Sequence, residues 1–161
     1  MNLYLDSEFD GHGGNLVSLA LVGDDGSQWY GIFDAYCGNE WVAEHVAPKL
    51  YAMKPTIQGD HNVLRFSLNE YISARPDCTI WADWPADFEH LMHLMCGPDY
   101  SSSFMVPCTM KLINTPDGEP KPEHPHNALS DAVALMLWHK TQQMAQGIEL
   151  ALAGTGLRKA D

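Results

Sequence analysis

Three apolar runs separated by turn residues open the chain. Residues 2–6 read as a strand. Gly11, Gly13, Gly14 and Asn15 supply a turn. Residues 16–23 form a second apolar run, and Asp24-Asp25-Gly26 is a tight-turn signal ahead of a third run, residues 28–33. This spacing predicts an antiparallel three-strand meander. Beyond it the period changes. A short helix is expected over 39–45, with Pro48 just past its end. Leu64, Leu68, Tyr71 and Ile72 recur at helical spacing and predict a helix over 62–74. Residues 78–82 favour a strand, and 85–96 a helix stopped by Gly97-Pro98. Weaker strand patterns occupy 104–106 and 110–113. A Pro-rich loop covers 115–126 and is expected to be mobile. A long helix is expected over 127–146, and a frayed tail after 154. Strands followed by alternating strands and helices predict one α/β domain spanning 1–161, with a mixed sheet flanked by helices.

Carboxylates interrupt this apolar pattern at informative places. Asp6 and Glu8 stand two apart at the end of the first run, Leu3-Tyr4-Leu5-Asp6-Ser7-Glu8-Phe9. In a strand they project from one face. Two adjacent carboxylates repel, and a shared proton or a hard cation such as Mg²⁺ relieves the repulsion. At a solvated strand end the same pair would be harmless. Asp87 falls in the first turn of the helix 85–96, at the edge of an apolar stripe of Phe88, Leu91, Met92 and Met95. There it either serves the helix dipole or faces a site between helix and sheet. Asp83, near the preceding strand end, is the alternative to it. Asp131 is more pointed, because it lies in the nearly all-apolar run from Ala128 to Leu137. A lone carboxylate in a buried helix needs a cation or a charged partner. His126, just before that helix, can take a proton from water, or is a plain loop histidine.

Composition narrows the options. The chain has 161 residues, 45% of them hydrophobic, which suits one soluble domain. No apolar run reaches the ~18 residues of a membrane span. No basic region followed by an apolar stretch opens the chain, so a cytoplasmic location is expected. The four cysteines form no C-x-x-C pair and read as reduced, small hydrophobes. The net charge of −12 opposes a broad grip on long nucleic acid. It permits a small site where cations supply the positive charge, favouring short or single-stranded substrates.

In order, these elements are Asp6-x-Glu8, Asp87, and His126-x-x-x-x-Asp131. The series resembles the DEDDh family of 3′→5′ exonucleases, which share a ribonuclease H-like fold. The segments Asp6-Ser7-Glu8-Phe9, Trp81-Ala82 to Asp87, and His126-Asn127-Ala128-Leu129-Ser130-Asp131-Ala132 are most similar to a compact bacterial and phage exoribonuclease branch. The resemblance implies that Asp6, Glu8, Asp87 and Asp131 hold two Mg²⁺ or Mn²⁺ ions and that His126 is the general base. It implies RNA or single-stranded DNA 3′ ends as substrate, nucleoside 5′-monophosphates as products, and a homodimer. Ser7 stands where the family often has Thr, and Asp83 near where it often has Asn. The other function classes are a non-catalytic nucleic-acid-binding or interaction module, and a metal-dependent endonuclease on the same fold.

Two further patterns carry less. His90-x-x-His93-x-x-Cys96 invites zinc, but on a helix the two histidines fall opposite the apolar stripe and Cys96 points away from His90. Of the aromatics, Trp84 or, better, Phe9 is placed to stack on a terminal base.

Overall fold

The structure is a computed structural model that describes residues 1–33, 37–97, 108–115 and 121–154. Strands β1 (Asn2–Phe9), β2 (Leu16–Gly23) and β3 (Gln28–Phe33) form the expected antiparallel meander. A short helix α1 (Glu40–His45) follows, capped by Asn39, whose side chain accepts from the Trp41 and Val42 amides. A 3-10 turn, Ala47–Lys49, contains the anticipated Pro48. Then come β4 (Ile57–Gly59), α2 (His61–Ser73), β5 (Cys78–Ala82), α3 (Pro85–Cys96), β6 (Cys108–Leu112) and α4 (Ala128–Gly154). The sheet order is β4-β3-β2-β1-β5-β6. β4, β5 and β6 run parallel to their neighbours β3, β1 and β5. This mixed α/β architecture is consistent with a ribonuclease H-like fold.

β1 is central because both of its faces are apolar. Leu3 and Leu5 face a core shared with α2 (Leu64, Leu68, Ile72) and α3 (Leu91, Leu94, Met95). Tyr4 points to the other face, where it packs with Ile113 and Leu135. On that second face Val17, Ala20, Tyr30 and Ile32 meet α1 (Val42) and the start of α4 (Ala128, Leu129, Ala132). Asp6 and Glu8 continue the Tyr4 side by strand alternation, and Ser7 continues the Leu5 side.

Several elements differ from expectation. β1 runs three residues further than the apolar pattern, because β2 pairs with it out to Phe9 opposite Leu16. β4 was not anticipated; at three residues it is too short to carry a period. α4 passes its expected end at 146, since Gly147 weakens a helix by only about 1 kcal/mol. On α3 the buried positions are Asp87, Leu91, Leu94 and Met95, so the stripe is rotated from the expected one and Asp87 sits within it, not at its edge. Of the four thiols only Cys78 is fully buried, and all are free. Residues 104–106, 116–120 of the Pro-rich loop, and the tail from 155 onwards lie outside the described residues.

Candidate metal centre

The parallel pairing of β1 with β5 brings the carboxyl ends of both strands to one edge, where ligand sites of open α/β sheets form. A cleft of about 1800 Å³ opens there, and Asp6, Glu8, Asp83, Asp87, His126 and Asp131 all line it. The β1 acids and the α4 aspartate therefore share one side of the sheet. The β1–β2 register slips between Glu8 and Phe9. Such a bulge commonly ends pairing beside a site and re-aims the next side chain.

Each acid is held by local structure. Trp84 is the N-cap of α3 and Pro85 its first residue, which puts Asp87 in the first turn, where the helix dipole favours negative charge. Asp87 is only 2% exposed. The Ser7 hydroxyl donates to its Oδ1 at 2.6 Å, while its Oδ2 has no hydrogen-bond partner. Asn127 opens α4: its Oδ1 accepts from the Ser130 amide at 3.2 Å, and its own amide donates to Asp131 Oδ2 at 3.1 Å. The Asn127 side-chain amide donates to the Tyr30 hydroxyl (3.1 Å) and to the carbonyls of Lys49 (2.8 Å) and Leu50 (3.2 Å). One fully buried side chain thus ties the start of α4 to β3 and to the turn after α1.

His126 occupies the left-handed region with φ 65°. For a residue other than glycine this costs roughly 1–2 kcal/mol, and it recurs where a side chain is held for function. The Asn127 anchor next door maintains it. The His126 ring meets Trp41 edge-on, with centroids 5.2 Å apart and planes at 85°.

The carboxylates fall into two groups of three: Asp6, Glu8 and Asp131, and Asp6, Asp83 and Asp87. Within each group one ligand oxygen from every residue lies within 4.8 Å of the others. Asp6 belongs to both. Burial, reinforced by Asp87, Asp131, Glu8 and Asp83, holds the Asp6 carboxyl far above the ordinary range. Burial and the charges of Asp131 and Asp87 push Glu8 up to about 8, with Lys49 opposing. Burial lifts Asp87 to about 7 against the Ser7 hydrogen bond, and Asp131 to about 6 against the backbone amides of Asn127 and His126. His126 moves the other way, below the ordinary imidazole value, through burial and the charges of Lys49 and His45. A cluster that resists ionisation this strongly, made only of oxygen donors and containing an unpartnered buried carboxylate oxygen, fits hard divalent cations.

Asp6, Glu8, Asp87, His126 and Asp131, the five expected site residues, therefore converge. Asp83, the alternative to Asp87, lines the same cleft. Phe9 lines the same cleft, and one face of its ring stacks on His90 at 4.6 Å. That contact corrects the expectation that His90 points away from the core. Among the described residues no ligand set of His90, His93 and Cys96 forms, and the possible cation-holding groups are carboxylate triads. Trp84 is 57% exposed at the cleft, as is Trp41 at 50%. Sequence reasoning missed Trp41, Lys49 and the role of Asn127. Only Asn127 left a signal, as a capping residue directly before an apolar helix.

No family model matches the chain. Two curated proteins from Mycobacterium tuberculosis, strains CDC 1551 and H37Rv, are similar to it, and both are named 3′-5′ exoribonuclease. Each is 29% identical over 147 residues, covering 82% of this chain and 87% of the relative.

Proposed function

We propose that this protein is a DEDDh-type 3′→5′ exoribonuclease that uses two Mg²⁺ or Mn²⁺ ions to release nucleoside 5′-monophosphates from RNA or single-stranded ends. The observation that carries this reading is the pair of carboxylate triads sharing Asp6, with His126 on the wall of the same cleft. The names of the two relatives support RNA as the substrate. When bound, two cations would stabilise the attacking and leaving oxygens of an in-line phosphoryl displacement.

The chain's own residues do the rest. Asp6 ties the two triads together and fixes their spacing. Glu8 and Asp131 hold one side; Asp131 is oriented by the Asn127 amide. Asp87 holds the other, oriented by Ser7. The unprotonated ring nitrogen of His126 accepts a proton from the attacking water. Its lowered pKa keeps the imidazole neutral at pH 7, ready to act as base. Water attacks the last phosphorus, the bond to the preceding O3′ breaks, and the terminal nucleotide leaves with its 5′-phosphate. Phe9, on the cleft lining, is the residue to stack on the terminal base. Acidic surroundings and an open cleft suit a short single strand better than a duplex. A homodimer, which the family resemblance implies, completes the reading.

The test is product analysis with 5′-labelled RNA and DNA oligomers in Mg²⁺, Mn²⁺ or chelator. A ladder shortening from the 3′ end, mononucleotide release, silence in chelator and silence of a folded Asp6→Ala variant are expected. Internal fragments would identify an endonuclease, and binding without cleavage a recognition module. Either result overturns the proposal.

A further inference from the structure

We infer that Asp83 is a fifth cation ligand, so that the second ion, like the one at Asp6, Glu8 and Asp131, is held by three protein carboxylates before any RNA arrives. This rests on the two-cation reading and adds a residue to it.

The register of the parallel strands makes the placement. Tyr4 pairs with Trp81 across β1 and β5. Two residues further along β1 stands Asp6, on the Tyr4 face by strand alternation, and Asp83 immediately follows the end of β5. The chain then turns into α3, whose first turn returns Asp87 to the same spot. Ligand oxygens of Asp6, Asp83 and Asp87 consequently lie within 4.8 Å of one another. The independent sign of a ligand is Asp87 itself. It is 2% exposed, and with Oδ1 accepting from Ser7 its Oδ2 stays buried without a hydrogen-bond partner. Burying such an oxygen beside two more carboxylates is strongly unfavourable unless a cation sits among them.

The difference from a four-acid site is chemical. With Asp6 shared, four acids leave the second ion only Asp87 as a ligand of its own. Mg²⁺ bound through one or two carboxylates usually depends on substrate phosphates to complete its shell. A third carboxylate removes that dependence. The free enzyme should then load both ions, and RNA should meet a fully charged site.

The experiment is a Mn²⁺ titration of the chelator-treated, RNA-free protein. Free Mn²⁺ is followed by electron paramagnetic resonance, and folding is checked by circular dichroism. Wild type should bind two ions, and Asp6→Ala should lose both. Asp83→Asn should keep one ion at wild-type affinity and weaken the other by about tenfold or more, the scale seen when a metal site loses a supporting group. The Mn²⁺ concentration for half-maximal RNA cleavage should rise by a similar factor, with kcat largely restored at saturating Mn²⁺. Two ions at wild-type affinity in a folded Asp83→Asn protein would overturn the role of Asp83 and leave the two-cation site standing. Fewer than two ions in wild type would overturn both.

Discussion

Replacing Asp87 by Asn should make the metal-free protein more stable at pH 8, although it removes a proposed ligand. Asp87 titrates at about 7 in the folded chain against 3.8 for an ordinary aspartate. Below pH 3.8 both states carry the proton, and folding bears no penalty. Between 3.8 and about 7 the unfolded chain releases its proton first, so stability falls as pH rises. Above pH 7 the full penalty applies. Three units at 1.36 kcal/mol each amount to roughly 4 kcal/mol for this nearly inaccessible group. The four neighbouring acids share protons, so relief at one site partly redistributes, and a gain of about 2–4 kcal/mol is expected. The substitution is locally tolerable: Ser7 can still donate to an amide oxygen, and an amide NH₂ can donate towards Asp6. For a chain of this length that gain is about 5–15 °C in Tm. Calorimetric melts in chelator at pH 4, 6 and 8 measure it. The variant should match wild type at pH 4 and pull ahead by pH 8. Millimolar Mn²⁺ should reverse the order, because only wild type gains the full binding energy of both ions. A Tm difference that does not grow between pH 4 and pH 8, or a variant that melts first at pH 8 in chelator, would refute the reasoning.

Two other substitutions separate the chemistry from its scaffold. His126→Ala should lower kcat by roughly 10²–10⁴ at pH 7 with Mn²⁺ binding unchanged. In the wild-type pH–rate profile the limb assigned to this base should lie below the ordinary imidazole value of 6.5, because burial and Lys49 disfavour the imidazolium; it should vanish in the variant. Asn127→Ala should cost about 2–4 kcal/mol in urea denaturation, since it strips partners from the buried Tyr30 hydroxyl and from the Lys49 and Leu50 carbonyls. It should also weaken the ion held by Asp131, and a variant with wild-type stability would show that this anchor is idle.

Much of the molecule is legible along the chain because its signals are local. The three-strand meander follows from apolar runs between glycine and aspartate turns. Helices α1 to α3 begin within about two residues of their capping and periodicity signals. Asp6 and Glu8 share a face by strand alternation, and Asp131 stands out because a charge in an apolar helix is costly. Long-range geometry is different. No short-range pattern says that β4 adds to the sheet edge, that Asn127 reaches Tyr30 across 97 positions, or that Trp41 braces His126. Spacing to Leu91 favours Asp87 over Asp83, but it does not say that both reach one cleft.

Residue order alone established every strand of the sheet but β4, the helices and the chemical character of the acids, because propensity and periodicity act over a few neighbours. Only the folded arrangement decided that β1 and β5 align in parallel. That register places the β1 acids beside the turn from β5 into α3 and gathers five carboxylates and a histidine from distant segments into one cleft.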